Sequence, residues 1–140
     1  MDQVASARRP FGSLLIEDGE IALDDGGRVD VRLRIPPDSR VAGGPIELRV
    51  VGPGVDFTGT VIDWLVTTNR GWAHFRGRGR TADTDGLEFR CDLRSARAAG
   101  ESGPDLVSVR VYPAGADPVH DGPMVRLSGS LPAGTVRLGA

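Results

Sequence analysis

Lysine is absent from this 140-residue chain, so all seventeen of its basic residues other than histidine are arginine. That removes chemistry needing a lysine amine, such as a Schiff base. Cys91 is the only cysteine, so no intrachain disulfide can form. Asparagine occurs once, at Asn69, and aromatic residues make up only 5% of the chain. No apolar run approaches the roughly 20 residues of a membrane-spanning helix. Leu14-Leu15-Ile16 is also too short for the core of a signal peptide. A formal net charge of −2 gives no global attraction to nucleic acid or to an anionic membrane, which makes nucleic acid the less favoured partner. If Met1 is the natural start, these features read as cytoplasmic. If the chain is an excised domain, a secreted or cell-surface parent fits equally well.

Turn residues are plentiful. Twenty Gly and ten Pro recur at short intervals between short runs of Val, Leu and Ile. Branched side chains suit a pleated surface, and frequent turn signals suit a sandwich or barrel. The length fits one domain. We read residues 1–10 as a polar tail and residues 11–140 as a single all-β domain. Its expected fold is an antiparallel β-sandwich or closed β-barrel of about nine or ten short strands.

The clearest segment runs from Arg28 to Ile35. Val29, Val31, Leu33 and Ile35 alternate with Arg28, Asp30, Arg32 and Arg34, the period of a strand with one buried and one wet face. Pro36-Pro37 ends it. Upstream, Phe11 to Glu17 reads as a first strand, Asp18-Gly19 as a turn, and Ile21 and Leu23 as one face of a second strand. Asp24-Asp25-Gly26-Gly27 is a further turn. Ile46, Leu48 and Val50 mark another core face. In the strand over 60–67, Ile62, Trp64 and Val66 are expected to share the core side. From Trp72 to Arg80, Ala73, Phe75, Gly77 and Gly79 lie on one face. Trp72, His74, Arg76, Arg78 and Arg80 lie on the other. Leu87, Phe89, Cys91 and Leu93 alternate with Glu88, Arg90, Asp92 and Arg94. Val107, Val109 and Val111 define a later strand, and a short one is expected around Val119. Val125 to Leu131 and the pair Val136 and Leu138 close the chain.

The order of features over residues 63–138 resembles the post-COAP domain of bacterial surface proteins. The resemblance is carried by Asp63-Trp64-Leu65-Val66, Ala73-His74-Phe75-Arg76-Gly77-Arg78-Gly79, Gly86-Leu87-Glu88-Phe89, Asp105 through Tyr112, Pro118-Val119-His120-Asp121 and Gly134 through Leu138. His120 stands where that pattern has an aromatic residue. The resemblance implies a β-sandwich or barrel-like accessory module without catalytic residues.

Candidate ligand or partner contacts are Trp72, His74, Arg76, Arg78, Arg80 and Arg90. The Arg76-Gly77-Arg78-Gly79-Arg80 run could meet phosphates, with Trp72 stacking on bases. The same run is explained by an alternating strand with Gly packed inward and Arg in water. Trp64, grouped with Ile62 and Val66, reads as a core anchor. Asp63 could be a shielded acid, but binding of local backbone amides or of an Arg explains it more simply. Asp83-Thr84-Asp85-Gly86 and Asp24-Asp25-Gly26 lack the ligand spacing of a calcium loop and read as hairpin turns. His74 and His120 are the only histidines and have no local zinc spacing, so no metal or cofactor is expected. No nucleophile elbow, phosphate loop or dinucleotide fingerprint appears.

The residues therefore point to a non-catalytic interaction or structural module that binds a protein partner or itself. Two alternatives differ in what they place where. A small-ligand barrel, with or without an enzymatic activity, would turn Trp72, His74 and the arginines inward. A nucleic-acid binder would present a contiguous arginine face.

Overall fold

The computed structural model describes residues 13–22, 27–35, 44–117 and 120–139. The tail over 1–10, the Asp24-Asp25-Gly26 turn, the Pro36-Pro37 stop and the strand expected around Val119 lie outside them. Nine antiparallel strands form one sheet: β1 (Ser13–Ala22), β2 (Arg28–Ile35), β3 (Gly44–Gly52), β4 (Val55–Thr67), β5 (Trp72–Arg80), β6 (Leu87–Arg94), β7 (Asp105–Tyr112), β8 (Val125–Leu131) and β9 (Arg137–Gly139). The order across the sheet is β8-β7-β6-β5-β4-β3-β2-β1-β9. Strands β1 to β8 thus follow one another as a meander, and only β9 crosses back to pair with β1. The described residues contain no helix.

The sheet curls into a half-barrel. Its two ends approach each other: a Cβ built on Gly129 of β8 would collide with Ile21 of β1, and one on Gly19 of β1 would touch Leu131 of β8. The concave side is filled. Leu14, Ile16, Val29, Val31, Leu33, Ile35, Leu48 and Val50 supply an aliphatic half. Phe57, Phe75 and Phe89 form an aromatic cluster in the other half. Phe89 packs edge-to-face on both partners, with ring centroids 5.7 and 5.9 Å apart. That geometry suits the ring quadrupoles and adds to the area buried.

Period two explains the filling of β2, β5, β6 and β7, whose burial alternates residue by residue until Tyr112, buried beside Val111 at the end of β7. The glycines of β5 face inward because nothing larger fits. A Cβ on Gly77 would strike the carbonyl oxygen of Val61, and one on Gly79 that of Thr58.

Two expectations fail, both at β-bulges. Asp18-Gly19 does not turn the chain. It lies inside β1, where the register with β2 shifts between Ile16 and Gly19. In β4 the register with β5 shifts twice, between Gly59 and Val61 and between Ile62 and Trp64. Each bulge inserts one residue and so exchanges the two faces. Gly59, Ile62 and Leu65 point inward, while Trp64 and Val66 point out, 36% and 51% exposed. Trp64 is therefore not a core anchor.

A buried carboxylate fixes the last part of the chain. Asp105, at the start of β7, is fully buried. One carboxylate oxygen accepts the Ala96 amide and the other the Val136 amide, both at 2.8 Å. It thereby clips the turn after β6 and the approach to β9 onto the start of β7. Buried amides without partners are costly, so this side chain does structural work that hydrophobic patterning does not signal.

Candidate surface on the outer face of strands β4 to β8

Antiparallel registry decides which outward residues meet. Trp64 of β4 stands opposite Arg76 of β5, Arg76 opposite Arg90 of β6, Arg90 opposite Arg110 of β7, and Arg110 opposite Arg126 of β8. Five adjacent strands thus carry one unbroken row, a tryptophan followed by four arginines. At the usual strand separation the arginine part spans about 14 Å. The sequence singles out Arg76 and Arg90 as candidates. Arg110 and Arg126 escape it, because only the pairing of β6, β7 and β8 brings them into line.

Like charges directly opposite each other on neighbouring strands are unfavourable. Two of the four arginines are answered. The Arg76 guanidinium lies over the Trp64 ring, 5.5 Å from its centroid, a cation–π contact. Arg110 donates to Asp92 at 3.4 Å. Among the described residues, the side chains of Arg90 and Arg126 have no hydrogen bond or ion pair.

The rows on either side are more balanced. His74 stands opposite Asp92, and its Nδ1–H donates to Asp92 Oδ1 at 2.7 Å. An ionised carboxylate only accepts, which assigns the donor role to the ring. Asp92 therefore bridges His74 and Arg110. Trp72 is half-buried and stacks on His74, with centroids 5.6 Å apart and ring planes 9° apart. The Arg94 guanidinium sits 6.0 Å from the Trp72 centroid and also pairs with Glu101. On the other flank Arg78 pairs with Asp63 at 3.3 Å and stands opposite Glu88. Asp63 is thus an arginine partner. Arg80 lies farther along β5. It lines a shallow polar cleft with Arg49, Asp56, Thr58 and Asp83, away from the row.

The six residues singled out from sequence therefore fall in three places. Arg76 and Arg90 belong to the row, while Trp72, His74 and Arg78 flank it. Arg80 stands apart. All six point away from the packed interior. A polar internal pocket needs the reverse arrangement.

His74 and Cys91 do not form a dyad. His74 is on the outer face and Cys91 on the inner, so the sheet itself separates them. Burial, with the neighbouring Asp92 charge adding to it, pushes the Cys91 thiol well above the usual thiol range. A protonated thiol is a poor nucleophile. Among the described residues no group of three His, Cys, Asp or Glu side chains is placed to hold a metal ion. Among the described residues no helix is long and apolar enough to cross a membrane. Comparison with protein-family models, with curated proteins and with solved structures finds no match.

Proposed function

We propose that this protein is a non-catalytic interaction module whose contact surface is the outer face of β4 to β8. The observation that carries the reading is the distribution of side chains. Aliphatic and aromatic groups fill the inside, and the tryptophans and a row of arginines in register on four successive strands gather on one part of the outside. Exposed aromatic and arginine side chains are the types enriched where proteins bind partners. The approach of β8 to β1 supports a sheet that closes into a barrel, a rigid support for such a face. The resemblance to post-COAP domains agrees with an accessory module of bacterial surface proteins.

A photo-crosslinking residue placed at Val66 tests the reading against one placed at Glu47, which is exposed on the outer face of β3. In living cells the Val66 position is expected to give a discrete adduct and the Glu47 position none. Equal labelling from both positions, or none from either, would contradict the reading.

A further inference from the structure

We infer that the row Trp64–Arg76–Arg90–Arg110–Arg126 binds single-stranded nucleic acid, an inference that rests on the outer face of β4 to β8 being the contact surface. The charge argument is local. The chain as a whole is net negative, yet Arg76, Arg78, Arg90, Arg110 and Arg126 meet only Asp63, Glu88 and Asp92 on this face. Two positive charges are left over, and Arg76, Arg90 and Arg126 have no carboxylate partner among the described residues. Directly opposed arginines repel one another, and a chain of anionic groups laid across the strands would relieve all three cross-strand contacts at once. Guanidinium groups match phosphate oxygens bidentately.

The planar groups narrow the class of anion. Trp64 is exposed and carries the Arg76 guanidinium beside it. The Trp72–His74 stack lies on the same face, with His74 opposite Val66 in the next row and Trp72 in the row beyond it. Unpaired bases stack on aromatic rings and on arginine planes, which an acidic peptide or a plain polyanion cannot exploit. A duplex keeps its bases stacked within itself and leaves that part of the surface unused.

Fluorescence anisotropy with a labelled oligodeoxythymidylate of about 20 nucleotides tests this directly, read over a salt series. Four phosphate contacts predict a slope of log affinity against log salt of about −3. Arg90→Ala with Arg126→Ala is expected to bring that slope to about half. Neither residue has a partner, so the fold is kept, and an unchanged melting temperature verifies it. Trp64→Ala is expected to weaken oligonucleotide binding roughly 10- to 100-fold and to leave binding of inorganic polyphosphate unchanged. Arg28→Ala with Arg34→Ala, on β2, serves as the control and should do little. No binding at low salt would overturn the inference, as would equal affinity for duplex, indifference to Trp64→Ala, or an equal loss from the β2 control. A nuclease-resistant adduct from the Val66 crosslinker, together with no oligonucleotide binding, would sink this inference and leave the contact surface standing.

Discussion

The outer faces of β1 to β3 and of β5 to β8 share one alternating pattern and differ in how their arginines are answered. On the first, Arg28 bridges Glu20, Arg49 bridges Asp56, Arg34 stands opposite Glu47, and the like pair Arg32–Arg49 shares a cleft with Glu17 and Glu47. On the second, three successive strand pairings set arginine opposite arginine. The interiors differ too, aliphatic beneath the first and aromatic with tight glycines beneath the second. A face whose charges are neutralised internally has little left to offer a partner. A face that keeps like charges in register retains an unfavourable arrangement that an anionic ligand would relieve.

The largest expected effect tests the aromatic interior. Phe89→Ala removes the ring shared by Phe57 and Phe75 and should lower stability by about 3–5 kcal/mol in a denaturant titration. Ile16→Val, equally buried in the aliphatic half, should cost only about 0.5–1.5 kcal/mol. A Phe89→Ala loss no larger than that of Ile16→Val would show that the Phe89 ring is not packed between Phe57 and Phe75. Next comes the carboxylate clip. Asp105→Ala strands two buried amides and should cost roughly 2–4 kcal/mol. A loss below half a kilocalorie would show that the amides find other partners.

Charge reversal gives smaller effects of opposite sign, and it addresses the surface comparison itself. Arg126→Glu sets a carboxylate opposite Arg110 and should stabilise the fold by about 0.2–1 kcal/mol. Arg34→Glu faces Glu47 and should destabilise it by a similar amount. Both shifts should shrink at high salt. The same sign in both places would mean that cross-strand registry does not govern the surface. The smallest effect concerns Cys91. Its folded-state pKa is raised, so the fold favours the neutral thiol. Stability from this group is therefore full below the unfolded thiol's value of about 8.5 and declines as pH rises above it. Cys91→Ser should flatten that decline. A thiol reagent at neutral pH should modify the unfolded chain and spare the folded one.

Much of this was legible in the sequence. The alternation in β2, β5 and β6 assigns inside and outside correctly, down to the inward glycines of the Arg76–Arg80 run. What escaped it has physical causes. Period two places Trp64 on the wrong side because it carries no warning of a bulge, and β4 contains two. Asp18-Gly19 has a turn's composition, but a bulge uses the same residue types. The Asp105 clip joins residues 9 and 31 positions away, which no local pattern records. The arginine row exists only once four strands are placed in register. Within its own strand each arginine is an ordinary outward residue, as Arg90 and Arg110 illustrate.

The central claim is that the outer face of β4 to β8, and not that of β1 to β3, is the contact surface. Backbone amide shifts of the labelled protein, followed while oligodeoxythymidylate is added, test it most directly. The account predicts perturbations gathered at Trp64, Arg76, Arg90, Arg110 and Arg126, with β1 to β3 unmoved. Perturbations centred on β2 and β3, or spread evenly over the sheet, would contradict it.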